Sequence, residues 1–286
     1  MKGVVLVRRF INRMNDYAFK RIFGSPENLD ILMSFCNAVL DRPPGEEIAS
    51  LDPLDRELDP ECLADGASRL DLLARTASGT PVNIEIQVQN VGDPRKRTLF
   101  HWSRLHVGQR ASGVDYYQLA PTISVNVLNF VEFPGEHCHS VFSLRRQGDG
   151  YRLIEDMEFH FLELPKMRAL KRPPQTPLEK WLYYLSNAEG EIMDQIAEEI
   201  PMIQKARMCE ELFVQVGHER QLYDLREKDL QDMVSLQKHA RQEGRKDGMK
   251  EALCRVAQNM LREDMPPALV AKVTELSPED VAALGD

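Results

Sequence analysis

Residues Val82-Asn83-Ile84-Glu85-Ile86-Gln87-Val88-Gln89 alternate apolar and polar without a break. A period of two puts Val82, Ile84, Ile86 and Val88 on one face of a strand and Asn83, Glu85, Gln87 and Gln89 on the other. The run Arg69-Leu70-Asp71-Leu72-Leu73-Ala74-Arg75 precedes it, and the turn residues Ser78-Gly79 lie between. The pair reads as a β-hairpin with one apolar and one polar wall. If its loop holds an odd number of residues centred on Ser78, Asp71 falls opposite Glu85, with β-carbons about 5 Å apart.

Two carboxylates that close repel unless a cation lies between them. A hard divalent ion such as Mg²⁺ suits the pair, because it takes oxygen ligands, keeps several waters and is commonly held by one or two carboxylates plus substrate phosphates. Such an ion polarises a scissile phosphodiester and lowers the pKa of an attacking water. Gln87, on the same face, can hold that water by hydrogen bonds, but it supplies no charge and accepts no proton. The alternation has a plainer reading as well, the solvated face of a half-buried hairpin.

The flanking sequence sets the hairpin in an α/β frame. From Asp16 to Leu40 apolar residues recur every three or four positions, interrupted by Gly24-Ser25-Pro26, which predicts two helices. A Pro- and Asp-rich passage from Asp41 to Pro60 reads as loop with a short strand. Residues 94 to 110 have helical spacing, Pro121 to Phe130 reads as a buried strand, and Ser140–Leu144 and Met157–Leu164 are further strand candidates. Helix, hairpin, helix and strand in that order give an α/β core with a mixed sheet. After Lys166 the composition changes. Pro173-Pro174 and Pro177 mark a linker, and from Leu178 to about Asp264 the chain reads as charged amphipathic helix. Two short helices follow from Pro266 to Leu284, the second opened by Ser277 as N-cap, Pro278 at the first helical position and Asp280 closing a capping box. The expected organisation is a core over 1–165, a helical region over 166–264 and a short helical pair over 265–286.

At 286 residues the chain can bury a core without staples. The five cysteines, Cys36, Cys62, Cys138, Cys209 and Cys254, are odd in number and scattered, which points to reduced thiols packed as small hydrophobes in a cytosol. The opening Met-Lys-Gly-Val-Val-Leu-Val-Arg-Arg is too short in apolar residues for a secretion signal, and no stretch approaches a membrane span. A soluble, cytoplasmic protein with no membrane partner is expected.

The net charge of −9 speaks against nucleic acid, which normally leaves a basic footprint. Between Gly92 and Arg110, however, Arg95, Lys96, Arg97, Arg104 and Arg110 face only Asp93. On a helix, Arg97, His101 and Arg104 share a stripe while Leu99, Trp102, Leu105 and His106 lie elsewhere, so a cationic face can run beside the hairpin where a phosphate backbone would pass. The same stripe also describes a solvated helix face docked by its Trp side. His137-Cys138-His139 offers zinc ligands without a second cluster to complete the set. No phosphate-binding loop and no nucleophile elbow is present, which excludes the common NTPase and serine-hydrolase patterns and with them a nucleotide cofactor. Gly244 and Gly248 sit in a charged segment, not in a membrane dimerisation motif.

These residues resemble a known family. Asn15-Asp16-Tyr17-Ala18-Phe19-Lys20-Arg21-Ile22-Phe23-Gly24 is similar to the opening of the Rpn family, the recombination-promoting nucleases also labelled PD-(D/E)XK nuclease family transposases. Ser68-Arg69-Leu70-Asp71-Leu72-Leu73-Ala74 with Asn83-Ile84-Glu85-Ile86-Gln87 resembles that family's active-site hairpin. Tyr117-Gln118-Leu119-Ala120-Pro121, Trp181-Leu182-Tyr183-Tyr184-Leu185 and the helix around Tyr223-Asp224 to Asp229 extend the likeness from about Asn15 to Leu284. The resemblance implies a restriction-endonuclease-like mixed-sheet core flanked by helices, Mg²⁺-dependent DNA endonuclease activity and a link to recombination or mobile elements. It implies Asp71 and Glu85 as metal ligands, with Gln87 in the place of the motif's lysine, and so weaker charge stabilisation there. Asp16 stands in the matching N-terminal motif, where capping of the first helix is the expected role. Ala67 departs from the pattern, which favours a basic residue before the hairpin.

The expected function is therefore phosphodiester hydrolysis in DNA, with Asp71, Glu85 and Gln87 catalytic and Arg97, His101 and Arg104 gripping the backbone. A duplex has two strands to cut, which points to a homodimer, and Leu222, Leu225, Met233 and Leu236 in the C-terminal helices offer it a surface or serve as ordinary core. The alternative is a DNA-binding or interaction protein that keeps the fold without the chemistry, its helical C-terminal half being the working part.

Overall fold

A computed structural model describes residues 11–53, 72–76, 78–90, 92–112 and 115–284. The chain divides into two compact units, 1–227 and 228–286.

The first unit opens with α1 (Asp16–Phe23), a 3₁₀ turn over Pro26–Asn28 and α2 (Leu29–Leu40). Asn15, not Asp16, caps α1: its side chain accepts from the backbone N–H groups of Tyr17 and Ala18, and Asp16 occupies the first turn, where a negative charge suits the helix dipole. Strands β1 (Leu51–Pro53), β2 (Leu72–Thr76) and β3 (Pro81–Gln87) lead to α3 (Pro94–Gly108), β4 (Thr122–Leu128), β5 (His139–Ser143) and β6 (Met157–Glu163). Helices α4 (Leu164–Arg168), α5 (Pro177–Leu185), α6 (Glu191–Glu199) and α7 (Pro201–Gln215) follow, and α8 (Gly217–Arg262) begins in this unit.

The six strands form one mixed sheet in the order β1-β2-β3-β4-β6-β5. The β1-β2-β3 meander is antiparallel, β3, β4 and β6 are parallel, and β5 runs antiparallel to β6 at the edge. This is an α/β restriction-endonuclease-like architecture. Alternation divides the sheet between two cores. Val82, Ile84, Ile123, Val125, Val127 and Leu162 face a large apolar core completed by α1, α2, α5, α6 and α7, in which Phe35 packs edge to face on Phe23 and Trp181 and those two rings meet at a tilt. Residues 166–206 thus contribute to the same core as the sheet. The opposite face carries a smaller core of Trp102, Leu128, Phe159 and Phe161, roofed by α3.

The second unit holds the end of α8 with α9 (Pro267–Thr274) and α10 (Pro278–Ala283), closed around Ala257, Val270 and Val281. Ser277 caps α10 through the Asp280 N–H, and its hydroxyl also bonds the Asp280 carboxylate. Leu225, Met233 and Leu236 on α8 are exposed. Among the described residues no helix is long and apolar enough to cross a membrane. Cys36 lies in the main core, where burial pushes its thiol up to about 12, and Cys138 and Cys209 pack half-buried against that core; Cys62 lies outside the described residues.

Candidate active site

The hairpin register follows from its turn. The Thr76 N–H donates to the Thr80 carbonyl at 2.9 Å, Gly79 takes φ 89°, and the Thr76 hydroxyl accepts from the Thr80 N–H. A positive φ there is open to glycine without strain. The resulting pairs are Leu72↔Ile84, Leu73↔Asn83 and Ala74↔Val82, the register required of an odd loop centred on Ser78. Asp71 itself lies outside the described residues, as do Arg69 and Ala67.

The polar wall of β3 is not a solvated surface. Asn83 is fully buried, Glu85 is 1% exposed and Gln87 9%; α3 packs on the neighbouring β4 and brings Arg97 and His101 to Glu85. The helix starts at Asp93, whose side chain accepts from the Arg95 and Lys96 N–H groups, with Pro94 in the first turn. It docks along Thr98, His101, Trp102 and Leu105, all buried, a three-four spacing that keeps one side on the sheet. Trp102 donates its indole N–H to the Thr122 carbonyl at 2.7 Å, and Thr98 donates to Asn126 Oδ1 at 2.7 Å.

Docking in this way divides the expected cationic stripe. His101, 4% exposed, is sealed beneath the helix with Nε2 3.8 Å from Glu85 Oε1. Arg97 stays 42% exposed and brings Nε to 3.6 Å from Glu85 Oε2. Arg104 is half-buried, its guanidinium over the Phe100 ring.

Glu85 has one oxygen engaged. Oε1 accepts from Asn83 Nδ2 at 3.2 Å, whereas Oε2 has no hydrogen-bond donor among the described residues. Burial raises the Glu85 carboxyl above the ordinary range, opposed by Arg97 and by the Asn83 amide. Asn83 Oδ1, Gln87 Nε2 and both polar atoms of Gln89 are likewise buried without partners among the described residues. Each such group costs about 1–3 kcal/mol while unsatisfied, and those of Asn83, Glu85 and Gln87 follow one another along one face of β3, a polar lining whose chemistry suits a cation or an oxygen-rich ligand. Glu85 Oε2 is a hard oxygen donor held by no hydrogen bond among the described residues, and a carboxylate oxygen of this kind fits a divalent cation. Among the described residues no group of three or more His, Cys, Asp and Glu side chains could hold a metal by itself.

Sequence reasoning missed Thr98 and Asn126. Asn126 is the register partner of Glu85 on β4 and is held by Thr98, by the Ser124 hydroxyl at 3.3 Å and by the His160 carbonyl at 3.2 Å. Its signal was available, since Thr122, Ser124 and Asn126 alternate through a strand that otherwise reads as apolar. His139 engages His160 at 2.9 Å.

A family model described as PD-(D/E)XK nuclease family transposase matches residues 13–240. No curated protein and no solved structure matches the chain.

Proposed function

The chain belongs to the PD-(D/E)XK nuclease family transposases, and from that membership we propose that it is a Mg²⁺-dependent DNA endonuclease acting in the cytoplasm in recombination or on mobile elements. The observation that carries this reading is Glu85: a carboxylate 1% exposed with an oxygen that accepts no hydrogen bond from the described residues and faces Arg97 at 3.6 Å. Asp71 and Glu85 are the proposed metal ligands, and the Leu72↔Ile84 register is the one that the pairing of Asp71 with Glu85 requires of the hairpin.

When bound, Mg²⁺ supplies Lewis-acid polarisation of the phosphodiester and a more acidic attacking water. The chain's own residues do the rest. Gln87, with its amide N–H₂ free among the described residues, orients the water by a hydrogen bond. Arg97, half-exposed above Glu85, and Arg104 contact the phosphate backbone. His101, buried against Glu85, holds the carboxylate in place and does not meet solvent. Asn126, fixed by Thr98, stands beside Glu85 on β4 and keeps that position polar.

Plasmid nicking with Mg²⁺ against EDTA tests the proposal, with Asp71→Ala and Glu85→Ala run alongside. Nicking by the wild type that disappears with EDTA and in both variants is expected. DNA binding that survives both substitutions while no protein nicks under any condition refutes it and leaves the fold-without-chemistry reading.

A further inference from the structure

Strand β5 ends the sheet, and no described strand lies along its outer edge. Its backbone groups divide cleanly. The Cys138 carbonyl accepts from the Glu163 N–H at 2.8 Å, the Leu144 carbonyl from the Leu153 N–H at 3.0 Å, and the Arg146 N–H donates to the Tyr151 carbonyl at 2.8 Å. Even-numbered residues from 138 to 146 therefore face the chain's own sheet, and strand alternation turns the N–H and C=O groups of His139, Val141, Ser143 and Arg145 outward. Exposed edges of natural sheets are usually blunted by charge, proline or a bulge. Here residues 139–144 carry no Lys, Arg, Asp, Glu or Pro, Val141 is 54% exposed, and Phe142 is 42% exposed although its ring packs on Phe133 and Phe161 at 4.9 and 5.6 Å.

We propose that this edge is the interface of a homodimer, in which β5 pairs antiparallel with β5 of a second copy across a two-fold axis that sets Phe142 against Phe142. The strand is self-complementary in that register. Val141 falls opposite Ser143 and His139 opposite Arg145, so every outward backbone group from 139 to 145 meets another. A two-fold placed between residues would oppose outward groups to inward ones and leave them unpaired. Arg145, the nearest fixed charge, meets His139 and not its own copy, so like charges stay apart. Phe142 against Phe142 joins the two aromatic clusters around Phe133 and Phe161 into one. A second copy supplies this match on both sides at once, as an isologous contact must.

Sedimentation velocity and light scattering from micromolar to tenth-millimolar protein test the interface. The wild type is expected to dimerise reversibly. Val141→Pro is expected to be monomeric with unchanged thermal unfolding, because the Val141 N–H points outward and the β5–β6 ladder does not use it; Val141→Lys, which keeps that N–H, gives the same result should the proline variant fail to fold. Phe142→Cys places two thiols in a non-hydrogen-bonded pair with Cα atoms about 4.5 Å apart, within disulfide reach, and is expected to form a covalent dimer on mild oxidation. Ser140→Cys, displaced from its copy along the strand, is expected to stay at wild-type background. A wild type that is monomeric throughout, a dimer that survives Val141→Lys, or equal cross-linking of the two cysteine variants overturns the proposal.

Discussion

Glu85 is a carboxylate kept where its charge is costly. Its folded-state pKa is raised by burial, with Arg97 and Asn83 offsetting only part of the effect, so the ionised side chain opposes folding at neutral pH. Sites that trade stability for chemistry behave this way. Glu85→Gln removes the charge and keeps the shape. Its expected outcome is an unfolding free energy about 1 kcal/mol above wild type, measured by urea denaturation, together with a loss of nicking on the order of 10²-fold or more. A variant less stable than wild type would show that Glu85 is structural. At this scale alternation alone put Glu85 and Gln87 on one face of β3, and both are buried there. The sequence was a poor guide to His101, whose placement on a cationic stripe says nothing of which side of that helix meets the sheet.

At the scale of elements, the pairing of β5 with β6 contains a chain of titratable groups that the periodicity of neither strand reveals. Glu158 Oε1 lies 2.7 Å from His160 Nε2, and His160 Nδ1 lies 2.9 Å from His139 Nε2. Arg42 at the end of α2 and Arg152 before β6 both reach Glu158, and Asp41 faces His139. Burial and the neighbouring His160 hold His139 down to about 4. Although burial would raise it, the Glu158 carboxyl is held down to about 2 by hydrogen bonds from His160 and Arg42. The unfolded chain takes up a proton on His139 near pH 6.5 that the folded chain refuses until about 4, so stability is lost as pH falls through that window. Thermal unfolding is expected to weaken between those pH values by on the order of 2 kcal/mol, once the partial exposure of His139 is allowed for. In His139→Asn the slope flattens, and a slope unchanged by that substitution would assign it to other groups. Below the usual carboxylate range the loss of the Glu158 contribution follows.

At the scale of the molecule, the first unit is tied together by contacts of long sequence separation. Arg13, 2% exposed, donates from Nε to Glu210 at 2.6 Å, from Nη2 to Glu189 at 2.6 Å and from Nη1 to the Tyr184 carbonyl at 2.9 Å. The N-terminal segment is therefore anchored on α5 and α7, and Trp181, Leu182 and Leu185 fill the core that the sheet opens. Removing one partner of a buried ion pair leaves the other uncompensated. Arg13→Met is expected to cost about 3 kcal/mol, read from the denaturation midpoint. A cost below that of an exposed pair, roughly 1 kcal/mol, would mean that the helices beyond residue 166 hold their place without it.

What the sequence determined by itself was local and periodic. Alternation from Val82 to Gln89 identified the strand, which ends at Gln87, and Ser78-Gly79 its turn; the register was open until the Thr76–Thr80 turn fixed Leu72↔Ile84, because a shift of one residue would reverse every face. Helix spacing likewise placed α1, α2 and α3, and the mixed sheet followed from their order. Tertiary structure alone decided that the polar wall is buried: periodicity tells which face is apolar, and only the packed structure tells that the other face is covered as well. Thr98 and Asn126 came together, and His101 was turned inward, by that packing, in which residues far apart along the chain exclude water from charges that the sequence shows only as alternating letters.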